Sequence, residues 1–208
     1  PPDPVLEPVT EIASVHGSSE AWDSPGLIYR PLRGNFVRDV LDAGYPLGFI
    51  GSGDSHDGHP GLAHLYSPTG GLAAILAEHN ERGELLEAMR ARRTYATNGP
   101  RIVVDAHLAG APMGSDIDAS SLDATAALEV TLAGTEPLER LEVIRSGKVV
   151  RFLDAAHLAP SGGGPPDFSA ILLLEDLGLA DLEPGEYAYL RVVQGRTGLA
   201  WTSPWFIR

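Results

Sequence analysis

One stretch constrains this chain more than any other: Phe49-Ile50-Gly51-Ser52-Gly53-Asp54-Ser55-His56-Asp57-Gly58-His59-Pro60-Gly61, a short apolar run opening into a loop of carboxylates and imidazoles. The apolar part reads as a strand. Along extended backbone residues alternate sides, so Asp54 and His56 project to one face about two strand rises apart. That brings a carboxylate and an imidazole to a spacing one cation can bridge. Such a donor pair suits Zn, Mn or Fe better than a hard-cation site built of oxygens alone. Gly51, Gly53, Gly58 and Gly61 let the backbone turn closely around the site. A glycine- and aspartate-rich surface loop with incidental histidines is the other reading of the same pattern.

Upstream, residues 9–15 are β-branched and apolar and predict a buried strand that ends in His16-Gly17-Ser18-Ser19-Glu20. Loops after strands carry the chemistry of parallel α/β sheets, which makes His16 a candidate ligand and Glu20 and Glu11 weaker ones. A hydrogen-bonded structural histidine is the competing reading. Residues 21–33 are broken by Pro25, Gly26 and Pro31, and Arg30 and Arg33 there could assist catalysis or simply face solvent. Asn35 then reads as the cap of a helix carrying Phe36, Val37, Val40 and Leu41 and stopping at Gly44. A helix between two short apolar strands predicts a right-handed βαβ crossover in a parallel sheet. His16, Asp54 and His56 then converge on one carboxyl-terminal edge, with Asp57 and His59 placed to orient them.

Beyond the motif, residues 62–69 read as an ordered loop with His64 and Tyr66. Leu72, Ile75, Leu76 and His79 suggest a helix over 71–80, with His79 having no catalytic part. A second helix is expected over 83–92 with Leu85, Leu86 and Met89 inside, and residues 93–100 close the pattern with turn chemistry. A domain boundary is placed there, dividing the chain into 1–100 and 101–208. After it the period changes to two, with strands expected at 101–108, 126–133, 138–145, 149–153, 169–174, 186–194 and 199–207. Such a run of short strands is the pattern of an immunoglobulin-like β-sandwich. Tyr187, just after Pro184-Gly185, fits a tyrosine corner whose phenol ties back to upstream backbone. Trp201, Trp205 and Phe206 read as core, residues 162–166 as a flexible loop tip, and His107 and His157 as structural or surface residues. The prolines of residues 1–8 suggest an extended lead-in.

Composition narrows the function. A net charge of −13 over 208 residues argues against nucleic acid or an anionic membrane surface as the main partner, and accommodates a bound divalent cation. The absence of cysteine removes disulfides, thiolate nucleophiles and cysteine zinc sites, and leaves the compartment undetermined. No apolar run reaches the ~18 residues of a membrane span. The chain starts at Pro1 without a methionine, which suggests a piece of something longer.

The strand and loop Glu11-Ile12-Ala13-Ser14-Val15-His16-Gly17-Ser18-Ser19-Glu20, the motif Gly51-Ser52-Gly53-Asp54-Ser55-His56, and Ala91-Arg92-Arg93-Thr94-Tyr95-Ala96-Thr97-Asn98-Gly99-Pro100-Arg101-Ile102 together resemble the later part of a PHP-domain metallohydrolase. The nearest likeness is to the subgroup in which a β-sandwich follows the PHP domain. The resemblance covers most of residues 9–102, and 138–147 and 189–204 are also similar to that subgroup's tail. It implies α/β plus all-β architecture: a partial (β/α) barrel, then the sandwich. It also implies two or three divalent metal ions (Zn, Mn or Fe) and hydrolysis of phosphate esters, or in some relatives carboxyl esters or carbamates, by a metal-activated water. Asp54 and His56 match the family's last ligand motif, and His16 either joins them or hydrogen-bonds the leaving group. The family's opening His-x-His pair and bridging glutamate have no counterpart, since none of the seven histidines forms such a pair. The early half of the barrel is therefore expected to be missing, and this piece alone inactive. The alternative is a non-catalytic carbohydrate- or protein-binding module built on the sandwich.

Overall fold

The computed structural model describes residues 2–56, 58, 70–158 and 167–208. Asp57, His59, the 62–69 loop with His64 and Tyr66, and the 162–166 tip, for which roles or conformations were expected above, lie outside the described residues.

The protein is built mostly of β-sheet with few helices. In chain order the elements are β1 (Val9–Ser14), β2 (Gly17–Ser18), helix α1 (Val37–Asp42), β3 (Gly48–Gly51), β4 (Leu72–Ile75), helix α2 (Arg82–Arg90) and β5 (Thr94–Thr97). Then come β6 (Val103–Leu108), β7 (Ala111–Pro112), β8 (Asp116–Ile117), β9 (Ala127–Ala133), β10 (Leu138–Arg145), β11 (Lys148–Asp154) and β12 (Phe168–Leu173). After a single helical turn at Leu174–Leu177, β13 (Tyr187–Gln194), β14 (Gly198–Thr202) and β15 (Trp205–Ile207) follow. They form a small sheet ordered β2-β1-β3, a large one running β11-β10-β13-β14-β5-β4 with β15 and β8 attached through β13, and a four-stranded sheet ordered β12-β9-β6-β7.

The middle of the large sheet is covered on both faces, which explains why β13 and β14 are almost continuously buried while β11 at its edge is largely exposed. Alternation sorts their side chains. Ala188, Leu190, Val192 and Ala200 join Leu141 and Val143 in a core shared with Val104, Ala106, Leu128 and Val130 of the four-stranded sheet. Tyr187, Tyr189, Leu199 and Trp201 point the other way, onto Ile12, Val37, Leu41 and Phe49 of the β1-α1-β3 unit. Helix α1 is fastened to the large sheet by Tyr187 Oη donating to Asp42 Oδ1 (2.7 Å) and by Arg38 donating to the Gly147 carbonyl (3.0 Å).

The βαβ expectation agrees with the parallel pairing of β1 with β3. Several expectations differ from the structure. The cap of α1 is Phe36, not Asn35, because Asp39 reaches back to accept the Phe36 N–H (2.9 Å). Residues 72–75 are a strand antiparallel to β5, so the 71–80 helix is overturned: edge pairing outweighs the helix propensity of Leu and Ala. His79 lies in the bend before α2, where Glu84 accepts its backbone N–H (2.8 Å), and Leu86 faces outward while Ala88 is the buried residue of that helix. Residues 94–97, read as turn, form a fully buried strand paired on both sides. The change of period at residue 100 is therefore not an edge of the large sheet. The 199–207 run breaks at Ser203-Pro204, where proline lacks the ladder donor. Tyr187 ties to the Asp42 carboxylate and not to backbone. Residues 3–7 fold into a turn, with Asp3 Oδ1 accepting the Val5 and Leu6 N–H groups.

Candidate metal centre

Parallel pairing carries the ends of β1 and β3 to one edge, with Ala13 beside Gly51. Past β1 the chain turns sharply at Gly17, φ +111°, where a Cβ would lie 2.8 Å from both the Gly26 oxygen and the Ile28 Cα. His16 stands at that corner. Its carbonyl accepts the Tyr29 N–H (3.0 Å), and its ring rests against the Tyr29 ring with centroids 4.9 Å apart. Past β3, Ser52 N–H donates to the Ala13 carbonyl (3.0 Å), locking the two strand exits together. Ser52 Oγ donates to Glu11 Oε2 and accepts the Asp54 N–H (3.3 Å). Asp54 itself sits at φ +49°, a left-handed conformation that aspartate tolerates better than most residues and that is common where a site imposes it.

The outcome is a three-residue cluster. His16 Nε2 lies 2.8 Å from Asp54 Oδ2, and His56 Nε2 lies 2.9 Å from Asp54 Oδ1. One donor atom from each residue falls within 4.8 Å of the others, and among the described residues no other such group of His, Asp or Glu donors forms. Among the described residues the remaining imidazole–carboxylate contacts are pairs: His79 with Glu84, His107 with Asp105 and His157 with Asp154. His56 is the most open member, with 82 % of its side chain exposed against 29 % for Asp54, so the cluster faces solvent on the His56 side.

Glu20 is elsewhere. It is buried, and its carboxylate accepts from Tyr189 Oη (2.6 Å), Arg191 Nη1 (2.7 Å) and Trp201 Nε1 (2.8 Å). That commits it to fastening β2 onto the large sheet and corrects its expected role beside the metal ligands. Arg191 also donates to Glu142. Burial works against the arginine's charge, but the pull of Glu20 and then Glu142 outweighs it, and its pKa moves up. Burial, reinforced by Glu20, pushes the Tyr189 phenol well above its usual range. This network borders a cleft of about 610 Å³ whose charges are largely paired with one another, including Arg38 with Asp23 (2.9 Å). Arg30 lies over Tyr29 and Arg33 over Trp22, and neither bonds to the cluster among the described residues.

A second cleft, about 470 Å³, adjoins His16 directly. Val15, Gly17 and Pro25 form one wall, and Asn98, Arg140, Val193, Arg196, Leu199 and Trp201 the other. Sequence reading missed this cleft, along with Tyr29 behind His16 and Ser52 beneath Asp54. The Gly-Ser-Gly context of Ser52 was the one local signal, whereas nothing local marks Arg140 or Arg196, which only the fold brings here.

Residues 61–138 match the family described as Protein of unknown function (DUF3604). The chain is similar to an uncharacterised protein of Chlamydia pneumoniae, 34 % identical over 218 residues that cover 97 % of this chain and 34 % of that protein. It is also similar to uncharacterised proteins of Chlamydia muridarum (29 % identical; 97 % of this chain, 34 % of that protein) and Chlamydia trachomatis (28 % identical; 98 % and 35 %). No solved structure matches significantly. The chain spans about a third of the length of these curated relatives, all of which match it almost from end to end.

Proposed function

We propose that this chain carries the late metal ligands of a PHP-type metallohydrolase that acts on phosphate esters. In this reading β1, α1 and β3 belong to the later part of a (β/α) barrel, residues 1–100 lead up to the sandwich of 101–208, and further ligands come from other parts of a longer protein. The observation that carries it is the convergence of His16, Asp54 and His56 from two strand-exit loops onto one point. The donor set fits the group: two imidazole nitrogens and a carboxylate suit Zn, Mn or Fe. A bound divalent ion supplies Lewis acidity and a water of lowered pKa, which is what ester hydrolysis at neutral pH requires.

The protein's own residues supply placement. Asp54 brings the negative charge that offsets a cation, and its left-handed backbone, with the N–H held by Ser52, aims the carboxylate between the two imidazoles. Tyr29 backs the His16 ring and limits its rotation. Ser52, anchored to Glu11, couples the ligand loop to β1, so orientation is fixed by hydrogen bonds before any ligand arrives. The exposed His56 side leaves room for an ester to approach.

Elemental analysis tests this reading on the 208-residue chain and on the longer protein, each incubated with Zn²⁺, Mn²⁺ and Fe²⁺. The expected result is two or three tightly held ions in the longer protein and one or none in this chain. Asp54→Asn should lower the metal content and abolish hydrolysis of p-nitrophenyl phosphate by the longer protein. Metal binding by neither form, or unchanged turnover in Asp54→Asn, sinks the assignment and leaves the sheets as the place to seek a carbohydrate or protein ligand.

A further inference from the structure

The cleft beside His16 has a chemistry of its own. Val15, Pro25, Val193 and Leu199 give it apolar walls, backed by Trp201, which is fully buried with its Nε1 donated to Glu20. Its volume, about 470 Å³, is that of a small-molecule site. Two cations reach it. Arg140 is ion-paired with Glu142, whereas Arg196 has no carboxylate partner among the described residues. Arg196 sits in the turn between β13 and β14, and that turn is held in place: Asn98 Nδ2 donates to the Thr197 carbonyl (2.7 Å) and Asn98 Oδ1 accepts the Leu199 N–H (2.7 Å). In a protein of net charge −13, an exposed positive charge carried by an anchored turn beside an apolar cleft favours an anion there.

We infer that this cleft binds the non-reacting end of the substrate, an apolar body such as an aromatic ring that carries a carboxylate, with Arg196 as the selecting charge. The inference rests on the hydrolase reading only for what happens at His16; the cleft's preference for an apolar carboxylate stands on its own walls and charge. It narrows the substrate class to phosphate esters whose alcohol or phenol leaving group is an aryl or branched alkyl body that also carries a carboxylate.

The probe is 2-naphthoate, titrated into the chelator-treated 208-residue chain so that no ion can hold its carboxylate, with 2-naphthamide as the neutral match. Heat of binding and tryptophan fluorescence report occupancy. Naphthoate should bind about 10-fold tighter than the amide, the effect of one charge-assisted contact. Arg196→Ala should erase that difference while far-UV circular dichroism stays unchanged, and Arg151→Ala on β11 should leave it intact. Equal binding of the two probes, no binding of either, or an Arg196→Ala variant that still discriminates overturns the inference. Naphthoate discrimination by this chain, with no metal taken up by either this chain or the longer protein, would uphold the cleft while the hydrolase reading fell, and metal uptake by the longer protein without discrimination would do the reverse.

Discussion

Glu20 shows how a single residue can be placed correctly in sequence and wrongly in role. It leaves the same loop as His16, four residues on, yet its carboxylate turns inward to Tyr189, Arg191 and Trp201. Removing one partner of a buried ion pair costs about 3 kcal/mol because the other charge stays behind without compensation. Glu20→Gln should therefore lower the stability read by urea denaturation by roughly that amount, with metal content per chain unchanged. A loss of metal at full stability would return Glu20 to the ligand set. Sequence could not show this, because the three donors lie 169 to 181 residues away along the chain. Asp54 and His56 were legible because they stand two residues apart in one short motif, although β3 ends at Gly51 and the left-handed Asp54 backbone, not strand alternation, is what brings them together. His16 needed one further step, the parallel topology, and that step was also legible from a helix standing between two apolar runs.

Elements were legible where their period was clean and their partners were near. The alternation of β9 marks it as a half-buried strand, and it pairs as such with β6 and β12. β4 and β5 were not legible. Leu72-Ala73-Ala74-Ile75 has a helix former's composition, and Thr94-Tyr95-Ala96-Thr97 runs into turn residues; β5 depends on β14 from the far end of the chain, and β4 in turn depends on β5. Their packing leaves a mark that sequence cannot display: Gly51, the last residue of β3, lies so close to them that a Cβ would stand 2.7 Å from the Leu72 oxygen and 2.9 Å from the Thr97 oxygen. Those are backbone atoms and cannot swing aside. Gly51→Ala is expected to destabilise the fold by about 1–3 kcal/mol through overpacking. It should also weaken metal uptake, since Ser52 and Asp54 follow directly. Urea midpoints and elemental analysis on the same preparation would show both effects, and a neutral Gly51→Ala would mean that the strands separate easily.

At the scale of the whole molecule, two of the three layers are joined through two buried tyrosines. Tyr187 and Tyr189 lie between the large sheet and the β1-α1-β3 unit, stacked with ring centroids 6.3 Å apart. Burial first, and then the hydrogen bond to Asp42 at Tyr187 and the negative charge of Glu20 at Tyr189, raise both phenols above their ordinary value of 10.0. The raised groups favour the folded state fully below pH 10, where the unfolded phenols are also neutral, and that contribution is lost as pH climbs above 10. The thermal midpoint should be level on this account up to pH 10 and then fall, with a shallower fall in Tyr187→Phe. A midpoint that holds level to pH 11.5 would contradict it. The layering itself was half legible: the run of short strands after residue 100 announces a second sheet layer, but nothing in the period reveals that the large sheet reaches back across that point to β5 and β4.

That reach has a consequence for how the protein is made. Asn98 waits 99 residues for Thr197, and β5 has no β14 beside it until then. A ribosome adding about 5–20 residues per second needs roughly 5–20 seconds to supply them. Throughout that interval the nascent chain offers an open strand edge beside half-made ligand loops, which makes this the period in which a chaperone or a neighbouring chain finds its easiest purchase.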